Sequence, residues 1–314
     1  MASKLEEHKT QIEAMLQADV SVNEIAKTFG VARSTAQDYV RKHIALDIGG
    51  GQFQDDRLVN VPAGGVDGIP VIHRDYSNQD SLHMYPLGDI HLGSPNCAET
   101  VLDEWLQYIV DTDGVSLLNT GDNLNCAITT SVSDTYEEEY TVQVGRQKLT
   151  EKFRPVAEAG KLDGIVDGNH EWRILRAVGD SPNSAVADAL GVAYSPAALY
   201  VVYHVGDQEY GVYLRHGNGG GATMGAAVNR LEKQERIVDA DVYISGHTHT
   251  QVAFPKETFL RDGERMVRRK RMFVSSGSFL GYEDYAKIAG YPPAHIGAPR
   301  IFLDGRKHDV HASV

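Results

Sequence analysis

The chain has 314 residues, 42% hydrophobic and 23% charged, the composition of a soluble globular protein with one large domain or one large and one small. A formal net charge of −13 argues against broad electrostatic attraction to nucleic acid, so any such contact must come from local positive charge. No apolar run approaches the roughly 18–20 residues that span a bilayer, and the N-terminus is charged (Lys4, Glu6, Glu7, Lys9) where a secretory signal would be apolar. No membrane contact and a cytoplasmic location are therefore expected, with Cys97 and Cys126 as small buried thiols rather than a disulfide framework.

Residues 1–43 predict a small helical domain. Leu5, Ile12, Met15 and Leu16 recur at helical spacing between Lys4 and Ala18. Ser21 followed three residues later by Glu24 is a capping-box pattern that opens a second helix. Gly30 breaks that helix, and RSTAQDYVRKH supplies a third. Ala26 allows a tight helix crossing, and Ile25, Phe29, Val31, Ala36 and Val40 provide apolar contacts. This segment resembles a helix-turn-helix DNA-binding unit. The resemblance makes the third helix the recognition helix, with Arg33, Ser34, Thr35, Gln37 and Lys42 facing a groove or phosphates. Acids and bases balance here, so the alternative is an oligomerisation or docking module. A single unit with so little net charge binds DNA weakly, and a homo-oligomer would help.

Residues 44–70, rich in Gly with Pro62 and Pro70, read as a linker. From Val71 to the C-terminus short apolar strands alternate with helices, which argues a layered α/β domain over 71–314. Five strands each run into a glycine-bearing motif. LHMYPL leads to GDIH at 88–91, VSLLNT to GDN at 121–123, LDGIVD to GNHE at 168–171, YGVYLR to His216 and Gly217, and DVYISG to GHTH at 246–249. A ligand on a tight turn at the end of a strand suits both glycine and the sheet edge where α/β proteins collect their sites. MFVSSGSF and PRIFLDG are expected as late strands of a second sheet.

The five motifs in this order make the chain resemble the calcineurin-like metallophosphoesterases. HGNGGG, a helix and then GHTH bring it nearest an uncharacterised phage-type branch. The resemblance implies a four-layer αββα sandwich holding two divalent ions, most simply Mn²⁺, with Fe or Zn²⁺ as other fits to imidazole and carboxylate donors. It places Asp89, His91 and His249 on one ion, Asn169, His216 and His247 on the other, and Asp122 on both. Such a pair clamps a phosphate and makes hydroxide available near neutral pH. His170 is then the group that protonates the leaving oxygen or stabilises the transition state. Glu171 orients either His170 or a ligand, and Arg173 is a candidate phosphate clamp.

Other features carry two readings each. Gly219 and Gly220 either cradle a phosphate at a helix N-terminus or merely permit a tight turn. Glu137, Glu138 and Glu139 read as a solvated face of a helical insert. The basic run from Arg261 to Arg271, including Arg268 and Arg269, is either a charged edge strand or a track for a polyanion on a hairpin near the site. The second motif lacks the Asp-Arg-Gly extension of serine/threonine phosphatases. The favoured function is phosphodiester cleavage of nucleic acid or a nucleotide. A phosphomonoesterase and a DNA-binding regulator with a scaffold-like second domain are the alternatives.

Overall fold

The structure is a computed structural model, and it describes residues 5, 8–17, 22–31, 35, 36, 39, 68–128, 131, 136, 138–221 and 223–314. The chain divides into two compact units, residues 1–56 and 57–314. In the smaller, α1 (Lys9–Gln17) and α2 (Val22–Thr28) bury Ile12 and Ile25 against Leu5 and Tyr39. Gly30 takes a positive φ of 62° just beyond α2, which lets the chain turn without a Cβ clash. Thr35, Ala36 and Tyr39 are helical, and Thr35 is half-buried. Arg33, Ser34, Gln37 and Lys42, expected to touch DNA, lie outside the described residues, as do 44–67 of the expected linker.

The larger unit runs, in chain order, through β1 (Val71–Tyr76), β2 (Ser81–Leu87), α3 (Glu99–Asp111), β3 (Val115–Asn119), α4 (Val142–Glu158) and β4 (Leu162–Val166). It continues with α5 (Asn169–Val178), α6 (Pro182–Leu190), β5 (Tyr194–Ser195), β6 (Ala198–Val205), β7 (Gln208–Arg215), α7 (Met224–Glu232) and β8 (Val242–Ser245). It ends with β9 (Val252–Asp262), β10 (Arg265–Ser275), α8 (Asp284–Ala289), β11 (Arg300–Asp304) and β12 (Val310–Ser313). One sheet has the order β1-β6-β7-β8-β10-β9 and the other β12-β11-β2-β3-β4-β5. Ile72, Met84, Leu118, Val201 and Val212 fill the space between the sheets. Leu102 and Ile109 of α3, and Leu149 and Phe153 of α4, cover the outer face of the second sheet. Leu231 of α7 packs with Tyr243 and Phe273 outside the first. This is the four-layer αββα sandwich expected from the sequence. Burial on both faces explains why β3 and β4 read as unbroken buried runs rather than alternating ones. Among the described residues no helix is long and apolar enough to cross a membrane.

Two expectations are corrected here. MFVSSGSF and PRIFLDG do not share a sheet: β10 joins β8, whereas β11 runs antiparallel to β2. Short apolar runs announce strands but carry no information on partners. Nor is Glu138 part of a solvated face. It is half-buried, and its carboxylate accepts from the Asn125 side chain and, at 3.3 Å, from the Ala127 amide. The α-helix described in that insert runs from Val142, after the Thr141 cap.

One polar cluster lies inside the sandwich. Asp163 of β4 is fully buried, with Arg74 Nε of β1 at 2.6 Å, and it accepts from the hydroxyls of Tyr203 at 2.6 Å and Tyr76 at 3.1 Å. The carboxylate thus faces one cation and two hydroxyl donors.

Candidate metal centre

The five ligand loops leave the C-terminal ends of β2, β3 and β4 in one sheet and of β7 and β8 in the other. Within each set the neighbours are parallel, so their C-terminal ends gather at one edge. Three groups of side chains come within ligand reach there: Asp89, His91 and His249; His91, Asp122 and His170; Asp122, His216 and His247. Asn169 joins the last, with Oδ1 at 2.7 Å from His247 Nδ1 and 3.2 Å from His216 Nε2. All seven residues assigned to metal by the sequence are thus brought together. His170, expected to stand off the metals, also falls within reach of His91 and Asp122.

Backbone geometry singles out the same residues. Among the described residues six non-glycine positions have positive φ, and five are Asp89 (47°), His91 (54°), Asp122 (49°), His247 (73°) and His249 (53°). Asp, Asn and His tolerate this conformation better than most, yet each such residue still costs about 1 kcal/mol or more. Strain concentrated on five of seven candidate ligands is held by the surrounding loops. Gly168 is required there because a Cβ would fall on the Asp122 carboxylate, and one on Gly246 would sit 2.6 Å from Asp89 Oδ2.

The hydrogen-bond roles show what the cluster lacks. His216 donates through Nδ1 to the Thr120 carbonyl at 2.8 Å, so Nε2 of the neutral ring is an acceptor. It faces Asp122 Oδ2 at 3.1 Å and Asn169 Oδ1, both acceptors. His247 donates through Nε2 to the Gly219 carbonyl at 3.0 Å, turning the Nδ1 lone pair to Asn169. On the other side His91 Nδ1 donates to Asn125 Oδ1 at 3.3 Å, which leaves Nε2 facing His249 Nε2 at 3.2 Å. His249 Nε2 is in turn 3.3 Å from Asp89 Oδ1. Lone pairs converge from several directions, and divalent cations satisfy them together. The donor set therefore fits two ions. Without them a proton takes the role: burial pushes His216 down, but Asp122 overrides it and raises the ring to about 10. Burial likewise opposes ionisation of Asp122, yet His216 and His170 hold its carboxyl well below the usual range.

Around this cluster lie residues with supporting roles. Glu171, fully buried, accepts amides of Asp122 (3.0 Å), Asn123 (2.8 Å), Leu124 (3.0 Å) and Gly168 (2.9 Å). It shapes the loop of the shared carboxylate and not the His170 ring. Burial and then Asp122 push Glu171 up to about 8, with the amide bonds opposing. His170 donates its backbone amide to Asp122 Oδ1 at 2.8 Å and hydrogen-bonds the Asn125 carbonyl through Nδ1. Arg173 places Nη2 at 3.2 Å from His170 Nε2 and, among the described residues, makes no ion pair. Burial and Arg173 both push His170 down, against Asp122.

Sequence reasoning missed Asn125. Its side chain receives His91, its carbonyl receives His170, and its amide nitrogen binds Glu138. Only its place three residues after Asp122 hinted at this. Gly219 and Gly220 turn carbonyls, at 2.8 Å each, to Arg230 Nη1, and the Thr223 hydroxyl caps the following helix by taking the Ala226 amide. The loop thus orients His247. Arg268 and Arg269 are not near the site. They stand seven and six residues before Ser275 on β10, about 20 Å along a strand. Acids already face them: Glu257 pairs with Arg268, and Asp239 and Asp241 with Arg269.

No family model matches this chain, and no curated protein matches it. Among solved structures it is similar to a conserved uncharacterised protein, a predicted phosphoesterase, from Streptococcus pneumoniae, at 13% identity over 74% of this chain and 88% of that one, with a TM-score of 0.33. It is also similar to a Vps29 double mutant from Entamoeba histolytica, at 15% identity over 74% of this chain and 100% of that one, again with a TM-score of 0.33. Likeness at that score carries nothing about chemistry.

Proposed function

We propose that the chain is a dinuclear metal-dependent phosphoesterase that cleaves phosphodiester bonds in nucleic acid or nucleotides. The observation that carries this reading is the convergence of Asp and His side chains in three overlapping groups within ligand reach, with facing lone pairs and strained backbones. Asp89, His91 and His249 would hold one ion, Asn169, His216 and His247 the other, and Asp122 both. Mixed carboxylate, amide and imidazole donors suit Mn²⁺ first, with Fe and Zn²⁺ also accepted. When bound, such ions supply Lewis acidity to the phosphate and make a water acidic enough to attack it near neutral pH.

The chain's own residues do the rest. Asn125 fixes the rings of His91 and His170, and Glu171 fixes the Asp122 loop. The Arg173 guanidinium lies beside His170 Nε2, where it would bind phosphate oxygens, and His170 in its protonated form would steady the leaving group. The preference for diesters rests on the helix-turn-helix proposed for residues 1–43, which would serve little purpose on small monoesters. Residues 44–70 would then tether it to the catalytic domain. The test is a Mn²⁺-supplemented panel of bis-p-nitrophenyl phosphate, its monoester, cyclic nucleotides, and single- and double-stranded DNA and RNA. Diester hydrolysis exceeding monoester hydrolysis supports the proposal, and the reverse makes the enzyme a phosphomonoesterase. Bound metal with no turnover on any substrate would leave a regulator or scaffold.

A further inference from the structure

We infer that β9 is a self-complementary edge strand through which two copies of this chain pair. The surface lies away from the metal centre. Among the described residues β8 covers only Met272–Ser275 of β10, so Arg265–Arg271 pairs with β9 alone, as a two-stranded ribbon. Among the same residues β9 is the last strand of its sheet. Near its tip the ribbon exposes Phe259 (65%) and Met266 (63%), an unusual display for an arm with so many charges.

The register decides which backbone groups are free. Asp262 and Arg265 close a two-residue turn, which makes them a hydrogen-bonded pair. Alternation then puts Arg261, Phe259 and Glu257 at the positions whose N–H and C=O point away from β10, toward the open edge. An antiparallel copy centred on Phe259 opposite Phe259 brings these outward groups together in hydrogen-bonded pairs. The same register sets Glu257 against Arg261 of the second copy; the partners they have within one chain, Arg268 and Glu264, form exposed ion pairs that are easily exchanged. The new pair occurs twice about the two-fold axis, as an isologous interface requires.

Other registers lack this match. Moving the partner by one step of the allowed two-residue series places Glu257 and Arg261 opposite Phe259, Pro255 or Gly263. Moving it by two sets Glu257 against Glu257 or Arg261 against Arg261. Charged edge strands ordinarily resist pairing. Here the charges reject the alternatives and leave one alignment.

Sedimentation velocity on the full chain, from micromolar to millimolar loading, is expected to show a concentration-dependent dimer. Glu257→Arg and Arg261→Glu should each weaken it about tenfold, since each converts two attractive cross-strand pairs into repulsive ones. Both side chains are exposed, so folding should be untouched. The double variant should restore the dimer. Phe259→Cys should form an intermolecular disulfide on mild oxidation, because facing residues of such a pair stand about 5.5 Å apart at Cα. Leu260→Cys should cross-link far less readily. A strict monomer, a dimer indifferent to both charge reversals, or equal cross-linking of the two cysteine variants would overturn the pairing. Hydrolysis per chain reports separately on the metal site and should not change.

Discussion

Two clusters of buried charge invite comparison, one between the sheets and one at their edge. Around Asp163 opposite charges and donors meet an acceptor: one guanidinium and two phenol hydroxyls converge on one carboxylate. At the edge, acceptors face acceptors across the Asp89, Asp122 and histidine cluster, on backbones held at positive φ. Both are desolvated, yet only the first is electrically complete within the chain. Buried charge alone therefore does not mark a site. The informative signs are an imbalance that an outside cation would correct and a backbone strained to keep it open.

The sharpest way to break this contrast is to remove its central group. Asp122→Ala should abolish turnover and reduce metal content more than any other single ligand change, because in the proposed reading that carboxylate would serve both positions. Two ions per chain and near-normal rates, by metal analysis beside kinetics, would end the dinuclear reading. His170→Ala should keep its metal while turnover drops by roughly 10²–10⁴ if the ring acts as an acid. The loss should shrink with good leaving groups, and an equal loss for poor and good ones would leave only electrostatic stabilisation.

The balanced cluster should answer in stability instead. Asp163→Ala strands the Arg74 guanidinium and two hydroxyls, which is expected to cost about 3–5 kcal/mol in urea unfolding. Metal content in the folded fraction should be unchanged, and loss of metal would show that the clusters are not separate. The smallest effect concerns His308, whose pKa is raised by the Asp241 carboxylate 3.7 Å from its Nε2. A raised histidine adds stability in full below its unfolded pKa of about 6.5 and loses it as pH rises through the folded value. His308→Ala should therefore be more destabilising at pH 6 than at pH 9. The reverse trend would mean that stacking on Tyr210, with ring centroids at 4.5 Å, outweighs the charge.

The Asp and His cluster was legible because each motif joins a glycine to a donor directly after an apolar strand, a local pattern that survives without the fold. What Asn125 does was not, since its partners are 34, 45 and 13 residues away. Position, not residue type, gives it a role. The expected nearness of Arg268 and Arg269 to the site fails for the same reason: sequence shows that they follow GHTH but not that an eleven-residue strand carries the chain away first. Likewise, two late strands could be recognised but not dealt to their sheets.

The ligand loops have one more consequence. Asp89, His91, Asp122 and Asn169 come from one sheet, and His216, His247 and His249 from the other. Ions seated among them would act as rivets, joining segments 158 residues apart in the chain (His91 and His249) where no disulfide does so. Ligation to the folded state alone adds stability by mass action, so a chelator should lower the melting temperature. Amide exchange should quicken first at the ends of β2, β3, β7 and β8, the seam where the two halves of the sandwich would be free to part.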